Sequence, residues 1–382
     1  MHVYLDYNAT APLRPEARAA MLAALEAPGN AMSVHGPGRA ARASIEKARR
    51  QVAAAVGAQA DDVIFTGGGT EANTLALRGA LQAASAAGER ITRLIVSAVE
   101  HDSIRATAAA CGESVAGLRV LTAPVTRTGK LDLAEFKRLL DEGKGRALVS
   151  LMAANNETGV IQPVAEAAAI AKAHHALVHC DAVQALGKTP VNIAGLSADY
   201  VSFSAHKIGG PQGVGALIVR QGAPLAPQML GGGQEFGRRA GTHNVAAIAA
   251  FGAAVEAATH ALPTSAARTE LERRLKAACM DAEIFGEAEH RLANTICIAS
   301  PTIPSENMVI ALDLDGFAVS AGAACSSGKV TQSHVLTAMG VAPQVAASAI
   351  RVSFGWNTQE QELSAFADAW SRIVKRAQAR AA

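Results

Sequence analysis

The sequence predicts an α/β fold: a large domain built on a mainly parallel, seven-stranded sheet, with a smaller α+β domain beside it. Three observations carry this expectation. Between Val63 and Val219, seven apolar runs of strand length alternate with helical stretches, and such alternation gives a largely parallel sheet covered on both faces. Polar or charged residues follow those runs, at Thr66, Glu100-His101, Asn155, Asp181 and Ser204 to Lys207. That is the carboxyl edge, where open α/β sheets place their active groups. After Pro263-Thr264 the regular alternation stops and an α+β pattern begins.

Residues 3–5 form a short apolar run that reads as an N-terminal arm rather than a packed element. Pro15 and Glu16 open a helix over residues 16–25, which Pro28-Gly29-Asn30 stops. A loop around Ser33 to Arg39 leads to a helix over 39–56. The first strand, 63–65, ends in the glycine-rich turn Thr66-Gly67-Gly68-Gly69-Thr70-Glu71, and a helix follows over 71–87. Further strands are expected at 93–97, 118–121, 147–151, 177–180, 200–203 and 215–219, with helices at 133–140 and 164–175 among those between them. An alanine-rich helix over 244–260 leaves the sheet. The smaller domain then takes a helix over 266–278, strands near 295–298 and 349–354, and helices near 307–312, 332–339 and 359–377. The expected division is 14–260 for the large domain, and 1–13 with 261–382 for the small one.

The totals narrow the function. A chain of 382 residues is long enough for one large core and a second, smaller one. A net charge of +2 gives no electrostatic case for nucleic acid. No apolar run is long enough to span a membrane, and the start, Met-His-Val-Tyr-Leu-Asp-Tyr, does not read as a signal peptide. The cysteines are Cys111, Cys180, Cys279, Cys297 and Cys325, with no Cys-x-x-Cys pair. An intrinsic metal site is therefore not expected, and a reducing cytoplasm is the simple reading.

Lys207 stands just past a buried strand, where partial burial lowers an amine's pKa and frees it as a Schiff-base nucleophile. Asp181 ends another strand. There a carboxylate can keep the ring nitrogen of pyridoxal phosphate (PLP) protonated, and Gln184 can reach the cofactor's phenolic oxygen. The glycine turn, with Gly69 and Thr70, suits a phosphate, and Ser204 and His206 can complete the cup. His101 can stack on the ring and later move a proton. The amide of Asn155 can also bond the phenolic oxygen. Arg351, inside an apolar strand, is costly unless paired, and a substrate carboxylate would pair it bidentately. Cys325 lies among small residues, in a segment expected to be mobile and accessible. Each has a plainer alternative: a solvated Lys207, a helix-capping Asp181, a simple capped turn, a loop His101 and an Arg351 held in a structural ion pair.

Taken together, the segments Tyr4 to Thr10, Phe65 to Asn73, Glu100-His101, Asn155 to Gly159, His179 to Gln184, Ser202 to Lys207, Gly231 to Glu235, Arg239 to Thr242 and Ala323 to Gly328 resemble the PLP-dependent cysteine desulfurases of the NifS/IscS type. These belong to the class V aminotransferase group of fold type I. The resemblance covers nearly the whole chain. It implies that Lys207 holds PLP and moves protons, that Arg351 and Asn8 bind the carboxylate of L-cysteine together with Asn155, and that His101 serves as acid or base. It implies that Cys325 takes the sulfur as a persulfide, alanine departs, and a scaffold protein for iron–sulfur cluster assembly or another acceptor receives the sulfur. Cys325 would at most be a transient ligand of such a cluster. The resemblance also implies a homodimer in which Thr242 reaches the partner's cofactor phosphate. Two features depart from the pattern: Gly67 stands where a serine is usual, and the extended scaffold-docking tail is missing. A selenocysteine lyase or a PLP transaminase of the same fold are the alternatives.

Overall fold

A computed structural model describes residues 2–321 and 332–381. The elements run β1 (Val3–Tyr4), α1 (Pro15–Glu26), α2 (Gly36–Val56), β2 (Val63–Thr66), α3 (Gly69–Ala86), β3 (Ile91–Ser97), α4 (Asp102–Ser114) and β4 (Arg119–Ala123). Then come α5 (Leu133–Asp141), β5 (Arg146–Met152), α6 (Val164–Ala173), β6 (Leu177–Asp181), α7 (Ile193–Leu196), β7 (Tyr200–Ser204), β8 (Gly215–Val219) and α8 (Val245–His260). The last part holds α9 (Ala266–Ala278), β9 (Glu283–Ile284), β10 (Thr295–Ala299), α10 (Ser305–Leu314), β11 (Phe317–Ala318) and β12 (Ser320–Ala321). After these come α11 (His334–Ala338), α12 (Pro343–Ala346), β13 (Ala349–Ser353) and α13 (Glu360–Ala381).

The large sheet has seven strands in the order β2-β8-β7-β6-β5-β3-β4. Strands β7 to β4 along that order are parallel, and β8 lies antiparallel between β2 and β7. Side chains alternate across a strand, so each apolar run feeds two cores. Phe65, Val149, Val178, Val201 and Phe203 face one core with α2, α6 and α8. Ile64, Leu148, Leu177, Tyr200 and Leu217 face the other with α3 and α4. From β3 the chain runs outward to β4, then returns to β5 on the far side of β3. This reversal opens a crevice at the carboxyl ends.

The second core gathers Trp370 and Phe366 of α13, Leu271 and Leu275 of α9, and Ile296, Ile298, Ile350 and Val352 of the antiparallel sheet β12-β13-β10-β9. The N-terminal run corrects the sequence expectation. Strand β1 pairs in parallel with β11, Asp6 bridges to Ser353, and Leu5 is 0% exposed inside this second core. The run is a packed element because its partners wait more than three hundred residues downstream. Among the described residues no helix is long and apolar enough to cross a membrane.

Candidate active site

Strand β7 is buried throughout and ends in a 3-10 turn, Ala205–Lys207, that leaves Lys207 half-buried. Its Nζ donates to the main-chain oxygens of Asn8 and Ala9, both at 2.7 Å. The amine thus sits between the sheet edge and the N-terminal arm. A cavity of about 360 Å³ opens there, with Asn8, Thr70, His101, Asp181, Gln184 and Arg351 in its wall beside Lys207. Gly69, Ser204 and His206 line it as well.

Asp181 ends β6, the strand next to β7. Its Oδ2 accepts from Asn73 Nδ2 at 2.8 Å and its Oδ1 from the Val183 amide at 3.0 Å. Behind it His179 bridges Ser150 Oγ (2.8 Å) and Ser202 Oγ (2.9 Å). Burial lowers the His179 pKa to about 4, against the opposing pull of Asp181, so the ring is neutral. Glu100 is fully buried. Burial first, then the Asp181 charge, push its carboxyl well above the usual range, and one oxygen accepts from the Met152 amide at 2.7 Å. Burial also raises the Cys180 thiol, which therefore packs rather than reacts.

Another part of the cavity wall is made of backbone. Gly68 has φ +151°, and a Cβ on Gly69 would meet Val183 Cγ2 at 2.8 Å. The first turn of α3 lies here, beside exposed Thr70. A second cavity, of about 760 Å³, shares Gly69, Thr70, Ser204 and His206 with the first and adds Gly67 and Arg239. The Gly67 amide donates to Glu71 Oε2 at 2.6 Å, and Arg239 grips the same carboxylate at 2.7 and 3.2 Å. The amide of the residue that replaces the usual serine is therefore already engaged. His206 Nδ1 is buried with no hydrogen-bond partner among the described residues. Burial, then the charges of Lys207 and Lys188, hold its pKa at about 4. A helix N-terminus, a glycine cradle and an orphaned ring nitrogen, lining one cavity with a fixed carboxylate, fit a flat phosphorylated heteroaromatic ring.

The remaining sequence candidates divide. His101 caps α4: Nδ1 accepts from the Ser103 amide at 3.1 Å, which leaves Nε2 to carry the ring proton. Arg351, 2% exposed, donates to Asp6 Oδ1 at 2.7 Å, Ser320 Oγ at 3.2 Å and the Asn156 oxygen at 3.2 Å. It is thus both paired within the protein and part of the cavity wall. Asn155 does not line the cavity; Asn156 does. The Asn155 Oδ1 accepts from the Glu157 and Thr158 amides at 2.9 Å each, and its Nδ2 donates to the Val99 oxygen at 3.2 Å. Thr242 is exposed and lines neither cavity. Cys325 lies outside the described residues.

Sequence reasoning did not single out Lys188. It is buried, and its Nζ donates to Asn8 Oδ1 at 2.7 Å and Gln184 Oε1 at 2.5 Å. One signal was available: it is the only charged residue between Asp181 and Asp199. Asn73, which holds Asp181, and Asp6, which holds Arg351, were also not singled out.

Comparison with known proteins adds an independent line. The profile of the family described as aminotransferase class-V matches residues 3–366. The cysteine desulfurase IscS of Dictyoglomus turgidum is 40% identical over 380 residues, covering 98% of this chain and 95% of its own. A cysteine desulfurase of Cereibacter sphaeroides is 43% identical over 379 residues, covering 97% and 95%. Among solved structures, a NifS-like protein superposes with a TM-score of 0.90 at 35% identity, over 98% of this chain and 100% of that one.

Proposed function

The chain belongs to the class-V aminotransferase family, among its cysteine desulfurases, and on that premise we propose how its own residues carry the reaction. The protein converts L-cysteine to L-alanine and transfers the sulfur. The observation that carries the site reading is the convergence of Lys207 and Asp181, from neighbouring strand ends, on one cavity whose wall also includes His206, with its orphaned ring nitrogen. PLP, when bound, supplies an aldehyde for amines and a protonated ring that takes up an electron pair.

Lys207 would hold the cofactor through that aldehyde, and its amine is placed to move the α-proton of the substrate. Asp181 keeps the ring nitrogen protonated, with Asn73 and the Val183 amide holding its carboxylate in place. Burial, then the Asp181 charge, disfavour a second negative charge on Glu100. Gly69, Thr70, Ser204 and His206 take the phosphate, joined by Thr242 of a second copy in a homodimer. Gln184 faces the phenolic oxygen. Arg351 and Asn8 receive the substrate carboxylate, with Asn155 shaping the turn that carries Asn156. His101 passes a proton through Nε2 at the substrate thiol.

Cys325 then attacks that sulfur as a thiolate. An S–S bond forms and the Cβ–S bond breaks. Its electron pair stays with carbon, which is protonated to the methyl group of alanine. The persulfide passes to an iron–sulfur scaffold protein or another thiol acceptor in the cytoplasm. In this reading residues 14–260 hold the cofactor, while 1–13 and 261–382 carry Cys325 and Arg351. The test is a purified protein given PLP and L-cysteine with a thiol reductant: alanine and sulfide should appear in equal amounts. A keto acid in place of alanine would make it a transaminase.

A further inference from the structure

A primary amide has a donor end and an acceptor end, and the wall of a binding cavity depends on which end faces in. Asn8 and Gln184 both line the 360 Å³ cavity, and both carry such amides. Lysine offers only donors. The chain turns at Gly187 (φ +69°), and Lys188 beyond it donates to Gln184 Oε1 at 2.5 Å and Asn8 Oδ1 at 2.7 Å. Both amide oxygens therefore point at one buried amine, and both amino ends point elsewhere. Asn8 Nδ2 donates to Thr295 Oγ1 at 2.9 Å and the Asn156 oxygen at 3.1 Å. Gln184 Nε2 donates to the Asn8 main-chain oxygen at 3.0 Å, the same oxygen that receives Lys207 Nζ. A further, longer bond at 3.5 Å, from Asn294 Nδ2 to Asn8 Oδ1, agrees with this orientation.

We propose that Lys188 is a positioning residue: by holding the oxygens of Gln184 and Asn8 it fixes Gln184 with its amino group toward the phenolic oxygen of PLP and fixes the arm against Lys207. The proposal rests on the PLP reading above. Lys188 is 8% exposed, and both of its bonded partners are neutral amides. An amine buried without a bonded carboxylate is costly, as a charge or as a polar group, so a structural role alone gives no reason for a lysine where an apolar residue would pack. Its neighbours Lys207 and Arg351 add positive charge, and together with burial they hold the Lys188 pKa well below the usual lysine range. The Gln184 amino group has a second hydrogen, and that hydrogen is the donor the phenolic oxygen meets.

The PLP-loaded protein reports this directly in its visible absorption. A phenolate bonded by a donor absorbs at longer wavelength than the protonated phenol that results when an acceptor faces it. Lys188→Met keeps the bulk and removes the donors. It should move the band to shorter wavelength and lower kcat for cysteine roughly 10-fold or more, since two buried oxygens lose their partner. Lys188→Arg, which restores donors, should recover most of the parent band. On a Gln184→Met background the band should no longer respond to Lys188→Met, because the residue acts through that amide. An unshifted band in folded Lys188→Met, or a full additional shift on the Gln184→Met background, would overturn the proposal. If Lys188→Met does not fold, Gln184→Glu keeps an oxygen for Lys188 and replaces the donor end. It should give the same shift, and an unchanged band overturns the proposal equally. A parent that binds PLP but releases no alanine sinks the desulfurase reading and leaves the band comparison intact.

Discussion

The amine of Lys207 donates at 2.7 Å to the main-chain oxygen of Asn8, across 199 positions of sequence. The arm that supplies this oxygen is anchored by Leu5 in the second core and by Arg14, whose Nε donates to the Ile208 oxygen at 2.9 Å. The sheet edge and the small core therefore meet at the Lys207 amine. Two main-chain oxygens accept from it, one from Asn8 and one from Ala9.

This arrangement puts two lysines, Lys207 and Lys188, near one cavity, and only one should react. Borohydride treatment of the PLP-loaded protein should fix the cofactor to the peptide that holds Lys207. Lys207→Ala should lose the label altogether. Label on the Lys188 peptide in the parent would show that the roles are reversed.

Asp181 should be sensitive both to its own charge and to its support. Asp181→Asn keeps the volume and loses the charge that stabilises the protonated ring, so PLP should still bind while turnover collapses. Asn73→Ala removes one of the two bonds on that carboxylate, and should cost about 1–2 kcal/mol in transition-state stabilisation, a roughly 5- to 30-fold loss in kcat. Steady-state rates of the two variants check the order. A near-normal Asp181→Asn would assign the ring nitrogen to another group.

How much of this could be read from the residues follows from the range of the interactions involved. Lys207 and Asp181 were legible because an apolar strand that ends in a charged residue is a local pattern. The seven strands were legible for the same reason. The packing of Leu5 was not, since its partners in β11 and β13 are far along the chain. Lys188 was missed because a buried lysine and a surface lysine are the same letter. Asn155 was expected at the cofactor, but an Asn that begins a turn tends to bond the amides just after it, and its Oδ1 does so here. Arg351 was left between ion pair and substrate clamp, and the cavity wall and the Asp6 bond give it both surroundings at once.

A second buried ionic group shapes the loop that carries Thr242. Arg49 donates to both oxygens of Glu235, at 2.7 and 2.8 Å, and His243 and the Phe65 amide add bonds at 2.8 Å each. These bonds sit where Glu235 and Phe236 adopt φ of +46° and +58°, a conformation that costs energy in non-glycine residues. Burial acts to raise the Glu235 pKa, but the bonds from Arg49 and His243 outweigh it and hold it at about 2. A carboxyl depressed in the folded state stabilises the fold above its ordinary pKa, and that contribution fades as the pH falls from 4.5 toward 2. Arg49→Met should therefore cost about 3–5 kcal/mol at neutral pH, with the gap to the parent narrowing in acid. Urea unfolding at several pH values measures it, and a gap that stays constant down to pH 3 would show that the ion pair is not the source.

The last prediction separates a desulfurase from a transaminase on the same fold. A transaminase needs a cofactor that carries the amino group and a residue that moves the proton, the role proposed for Lys207, and no nucleophile for sulfur. A desulfurase needs a thiolate that attacks the substrate sulfur and carries it away. The other four cysteines are buried: Cys111, Cys180, Cys279 and Cys297. Burial raises the thiols of Cys111, Cys180 and Cys297, which keeps them protonated and poor as nucleophiles. The nucleophile proposed above is therefore the residue to test. Cys325→Ser should bind PLP and cysteine as the parent does, yet release alanine at less than about 1% of the parent rate, because a serine hydroxyl is almost never ionised near neutrality. Mass spectrometry after brief exposure of the parent to cysteine should find one added sulfur on the peptide that holds Cys325. Alanine release at the parent rate by Cys325→Ser would mean that sulfide leaves directly, with no persulfide on the protein.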